Sequence, residues 1–407
     1  MRRRRSAPEG RVPVRFAPPV PEAGLPALPG LAGACAGAAL RTEPEPPGGG
    51  AVLRRAACGY WSRRGLHGGP DDMVAAPGGQ PLLFALLAAY GGDVLMPRPC
   101  PAWWAPQARL LGRPAYQVPT PAETGGVPDP YALLETVRRV RAEGGSPRVL
   151  LLCPADDPTA TVAPPELVHE ACEAAVGEGL HIISDETWRD TLFRPHETVL
   201  FSPAEMWPDE VVVVHDAAGS LLPAAWPMAV ARCPATAEGA ALRARTLDIL
   251  TALGALVAGP VAGAAALALD EPGTVTRRTR ATAELYGRVA VAAHRAVVAS
   301  GAFARPPQAG RHLYADLGPL RARLAERGVA DSMELENHLG GRLGTPAPGG
   351  HRFGDELGAL RVRLSTAALL GATPERRLES LMAAEPLELP YVARALTDFA
   401  SAFAELR

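Results

Sequence analysis

Five short apolar runs recur through the middle of the chain, at residues 94–96, 115–118, 149–153, 181–184 and 211–214. Each is too short for a helix, and the later ones are nearly continuous in Val, Leu and Ile, the pattern of strands buried on both faces. Between them, residues 131–142 and 165–178 carry apolar positions at helical spacing. Strand and helix alternating in this way predict an α/β fold, a mostly parallel sheet sandwiched by helices. Ligands of such sheets bind outside the carboxyl ends of the strands.

Upstream, residues 53–64 predict a helix, and Gly78-Gly79-Gln80 opens another that runs to about Tyr90. A glycine pair at a helix start leaves backbone N–H groups free to face an anion. Downstream, two long helical stretches, 236–270 and 275–300, lead to strands at 313–317 and 360–364 and a last helix at 391–406. The expected division is an irregular Pro- and Gly-rich arm at 1–50, a large α/β domain at 51–270 and a small α+β C-terminal domain at 271–407.

Composition narrows the function classes. An apolar fraction of 47% over 407 residues is ample for buried cores, and a net charge of −2 with no basic block among aromatics argues against nucleic acid. Met1-Arg2-Arg3-Arg4-Arg5 reads as a disordered basic tail, since no apolar stretch follows it. No run is long enough to span a bilayer, so no membrane partner is expected. The cysteines Cys35, Cys58, Cys100, Cys153, Cys172 and Cys233 show neither metal nor disulfide spacing, which suits a cytoplasmic protein. All 41 basic side chains are arginine; the chain contains no lysine.

Several segments in order resemble one family. Residues 73–120, with Gly78-Gly79-Gln80, look like a phosphate-binding helix and the unit after it. Leu152-Cys153-Pro154-Ala155-Asp156-Asp157-Pro158-Thr159-Ala160-Thr161-Val162 is similar to an N-P-x-N-P-T-G-T-V segment, Ser184-Asp185-Glu186-Thr187-Trp188 to D-E-x-Y, and Arg361-Val362-Arg363-Leu364-Ser365 to x-x-R-x-S. The chain thereby resembles the class I/II aminotransferases of the fold type I pyridoxal-phosphate group. The resemblance implies that fold, a homodimer and a small-molecule substrate.

It also implies departures. Val214 to Pro227 resembles the family's S-x-S-K-x-x-x-x-x-G-W-R, anchored by Trp226, which puts Gly219 at the Schiff-base lysine and Pro227 at a phosphate-binding arginine. Asp216 and Ala218 replace serines, Asp157 an asparagine and Trp188 a tyrosine. Asp185 matches the partner of the cofactor's pyridine nitrogen, and Arg363 the clamp for a substrate carboxylate. A pocket that loses an arginine and a lysine and gains Asp216 is expected to hold no pyridoxal phosphate covalently or tightly, so no cofactor is expected.

Acid–base work would then fall to Asp216, His215, Asp157 and Asp185, crowded carboxylates raising one another's pKa. Arg363, Trp104, Trp188, Ser220, His312, Gly79 and Gln80 are the candidate substrate contacts. His215 has a structural alternative as a hydrogen-bonded strand-end residue, and its neighbour Asp216 points to the opposite face. No metal site is recognisable. Three functions are compatible with this pocket: a cofactor-independent enzyme performing cyclisation, dehydration or isomerisation in specialised natural product biosynthesis; an inactive homologue that stabilises or regulates a pathway partner; and an enzyme holding pyridoxal phosphate noncovalently. The first is expected.

Overall fold

The computed structural model of the protein describes residues 24–121 and 123–407. Seven strands build the larger sheet: β1 (Met73–Ala76), β2 (Asp93–Arg98), β3 (Ala115–Pro119), β4 (Pro147–Leu152), β5 (His181–Asp185), β6 (Val211–Asp216) and β7 (Ala229–Arg232). They lie in the order β1-β7-β6-β5-β4-β2-β3. All pairings are parallel except those of β7, which runs antiparallel to β6 and to β1. A smaller antiparallel sheet joins β8 (Phe303–Ala304), β9 (His312–Asp316) and β10 (Arg361–Ser365), with β9 central.

The large sheet is covered on both faces, and its strands alternate between two cores. Leu150, Leu152, Ile182, Val211 and Val213 point into one; Val149, Leu151, Ile183, Val212 and Val214 into the other. This burial on both faces is why the strands read as continuous apolar runs. A third core, including Leu313, Leu335, Val362 and Phe403, underlies the smaller sheet.

Three elements differ from the sequence expectation. The stretch 236–270 is two helices, Ala237–Ala252 and Gly259–Leu269, because Gly254 at φ +61° ends the first in a left-handed turn. The N-terminal stretch contains a helix, Pro29–Ala38, packed on helix Gly259–Leu269. Its Gly- and Ala-rich sequence has almost no amphipathic signal to reveal it. Strands β1 and β7 are four-residue elements whose pairing is supplied by the sheet. The expected basic tail lies outside the described residues.

Candidate active site

A cleft of about 270 Å³ opens at the carboxyl ends of β4, β5 and β6, and is closed on the other side by residues of the smaller sheet. Asp185 and Asp216 are the last residues of their strands, and Asp157 lies in the turn after β4. Gly79, Gln80, Asp157, Asp185, Trp188, Asp216, His312 and Arg363 all border it. His215, Trp104, Ser220 and Gly219 do not.

Strand alternation separates Asp216 from His215. Asp216 follows the face of Val212 and Val214 and reaches the start of helix Gly79–Tyr90. There its Oδ2 accepts from Gly79 N at 2.8 Å and its Oδ1 from Ala218 N at 2.9 Å. The anion seat anticipated at Gly78-Gly79 is thus filled by a carboxylate of the chain itself. Burial pushes this carboxyl up to about 6 against the pull of the two N–H groups. Asp185 is likewise pushed up by burial to about 6, while Thr187 donates to its Oδ1 from N and Oγ1 at 3.0 and 2.6 Å.

The arginine expected to clamp a carboxylate also has an internal partner. Arg363, 8% exposed, donates from Nη1 to both oxygens of Asp157 at 2.7 and 2.9 Å. His312 Nδ1 stands 3.9 Å from the same carboxylate. Beside it, burial pushes Asp156 up to about 7; its Oδ2 accepts from Thr159 Oγ1 at 2.6 Å, while Oδ1 is unpaired. Among the described residues no group of three His, Cys, Asp or Glu side chains is placed to hold a metal.

His215 is fully buried on the far face of the sheet. Its ring packs 5.1 Å from that of Tyr60, Nδ1 lies 3.2 Å from Glu186 O, and burial pulls it down to about 4. It faces core, not cleft. Trp104 is buried in the sheet core, and the neighbouring Trp103 borders the cleft in its place, the helix starting at Trp104 having turned the two rings 89° apart. Ser220 and Gly219 border a second, smaller cavity behind the cleft. Arg311, on the boundary between both cavities, was not foreseen. A single arginine before an apolar strand carries no pattern to distinguish it.

The residues 44–327 match the family Aminotransferase class I and II. Over 190 residues the chain is 30% identical to the probable aspartate/prephenate aminotransferase of Thermus aquaticus, covering 46% of this chain and 47% of that protein. It is 29% identical over the same extent to the aspartate/prephenate aminotransferase of Thermus thermophilus. The matched region spans about half the length of these relatives. Solved structures extend the likeness of fold: aspartate aminotransferase from Thermus thermophilus with maleate superposes with a TM-score of 0.73 at 23% identity, covering 93% of this chain and 90% of that one. The aromatic aminotransferase from Pyrococcus horikoshii gives 0.75 at 17%, covering 95% and 94%.

These likenesses correct two expectations. The cofactor-independent enzyme of specialised metabolism, and the inactive homologue beside it, are overturned by these findings: the family matched is that of the class I and II aminotransferases, and both curated relatives are named as aminotransferases. The expectation of no cofactor gives way to pyridoxal phosphate, which the family resemblance implies. Its covalent mode does not fit the residues present, however. The chain has no lysine, Asp216 fills the anion seat, and a Cβ on Gly219 would lie 2.5 Å from Arg311 Nη2.

Proposed function

The chain belongs to the aminotransferase class I and II family, and from that premise we propose that it is an enzyme of amino-group chemistry acting on a small amino acid or the corresponding 2-oxo acid. The observation that carries this reading is the pairing of Arg363 with Asp157. A buried guanidinium at the cleft wall already holds a carboxylate in two contacts. A substrate carboxylate takes the same seat by exchange, one charge-assisted pair replacing another. Asp185 and Asp216 face the same space, and acids pushed up to about 6 take up and release protons near neutral pH. Trp103 and Trp188 supply flat apolar walls.

The test is a panel of amino acids and 2-oxo acids, with pyridoxal phosphate supplied in solution because no lysine is present to hold it. Amino-group transfer and calorimetric binding are both measured. Arg363→Gln is expected to weaken carboxylate binding at least ten-fold, about 1.4 kcal/mol. Asp157→Asn, which removes the internal competitor, is expected to tighten it several-fold. Unchanged binding in Arg363→Gln would sink the reading.

A homodimer in a reducing cytoplasm completes the proposal. Its supports are the family resemblance, six free cysteines, and the absence among the described residues of a helix long and apolar enough to cross a membrane. Light scattering on the purified protein checks the dimer.

A further inference from the structure

Behind the cleft lies a cavity of about 60 Å³, between residues 24–28, the turn after β6 and the helix Gly273–Ala299. Its polar lining is one-sided. Arg278, Arg311, Tyr286, Ser220, Thr279 and Thr282 face it, and among the described residues its walls include no carboxylate.

Two of these groups are buried without hydrogen-bond partners among the described residues. Arg311 is 7% exposed, and among the described residues its guanidinium makes no hydrogen bond or ion pair; its Nε is fully enclosed and unpaired. Its contacts are the faces of Trp188 and Tyr286, whose ring centres lie 5.3 and 5.8 Å from Cζ. Tyr286 is 3% exposed, and its hydroxyl is also unpaired. The other arginine is only partly engaged, Arg278 Nη2 donating to Pro26 O at 2.8 Å.

A buried guanidinium left uncompensated is costly, and so is a buried phenol O–H without an acceptor. Both costs are relieved by the same thing, an oxyanion. Gly219 makes the arrangement possible: at φ +97° it passes so close to Arg311 that any side chain there would strike Nη2. We propose that this cavity is a binding site for a small oxyanion, a phosphate or carboxylate group, held by Arg311 and Tyr286 with Arg278 at its rim. The site is separate from the carboxylate seat at Arg363, although Arg311 borders both spaces.

The experiment is calorimetric titration of the full chain with inorganic phosphate and, separately, with acetate, on the native protein and on Arg311→Gln, Tyr286→Phe and Arg363→Gln. Phosphate binding is expected to fall at least ten-fold in Arg311→Gln and several-fold in Tyr286→Phe, and to persist in Arg363→Gln, which removes only the carboxylate seat of the cleft. Response to phosphate alone assigns a phosphate ligand; response to both extends the site to carboxylates. Tyr286→Phe removes only an unpaired hydroxyl, so it keeps the test open if Arg311→Gln fails to fold. Native protein that binds neither anion, or binding lost only in Arg363→Gln, overturns the proposal.

Discussion

Along β6 a single step in the sequence separates a cleft acid from a core histidine. Asp216 turns to the ligand space, while His215 is enclosed by Tyr60 and Trp61. His215→Ala is therefore expected to cost about 2–4 kcal/mol in urea unfolding, as for other large-to-small core changes, with carboxylate binding by the folded protein unaltered. Burial holds His215 down to about 4, below its ordinary value near 6.5. It thus favours the fold above that ordinary value, and this contribution is lost as pH falls toward 4. The acids act in the opposite sense. Asp156, pushed up to about 7, favours the fold below the ordinary carboxyl value of about 3.9, and the advantage disappears as pH rises through 7. Between pH 6.5 and 7.5 the acid effect dominates, so Tm is expected to fall there, and Asp156→Asn to flatten the fall.

At the scale of elements, the turn after β6 shows how backbone conformation shapes two cavities. Gly219 N donates to Leu222 O at 2.7 Å, closing a tight loop with φ +97° at the glycine. Gly219→Ala is expected to cost about 1–3 kcal/mol in thermal or urea unfolding from backbone strain. Displacing Arg311 should also weaken phosphate binding in parallel. The helix Gly79–Tyr90 offers a related lesson. Its glycine start was legible as an anion seat, but Asp216, 137 residues away, takes the place. Asp216 could be recognised as an intruder by family register; its chosen partner could not.

Over the whole molecule, a buried ion network ties distant segments together. Arg64, just after helix Ala51–Ser62, pairs with Asp190 at 2.7 Å and Glu271 at 2.6 Å, and Tyr60 donates to Asp190 at 2.7 Å. These contacts join helix Ala51–Ser62, the segment beyond β5 and the residues preceding helix Gly273–Ala299. Arg64→Ala takes a cation from two largely buried carboxylates, and about 3 kcal/mol of stability is expected to be lost in chemical unfolding. The cleft depends on the same long-range order, since Arg363 and Asp157 are 206 residues apart.

The sequence by itself determined the strand and helix alternation, the parallel character of the sheet, the ordered family motifs and the absence of lysine. Each is local, or a matter of composition: burial on both faces writes continuous apolar runs, and a motif preserves its spacing along the chain. Only the tertiary structure decided that Asp157 sits on Arg363, that Asp216 caps the helix at Gly79, that Trp103 rather than Trp104 meets the cleft, and that Arg311 packs against Gly219. Those outcomes depend on which distant surfaces pack together and on which buried charge finds a partner, and periodicity records neither.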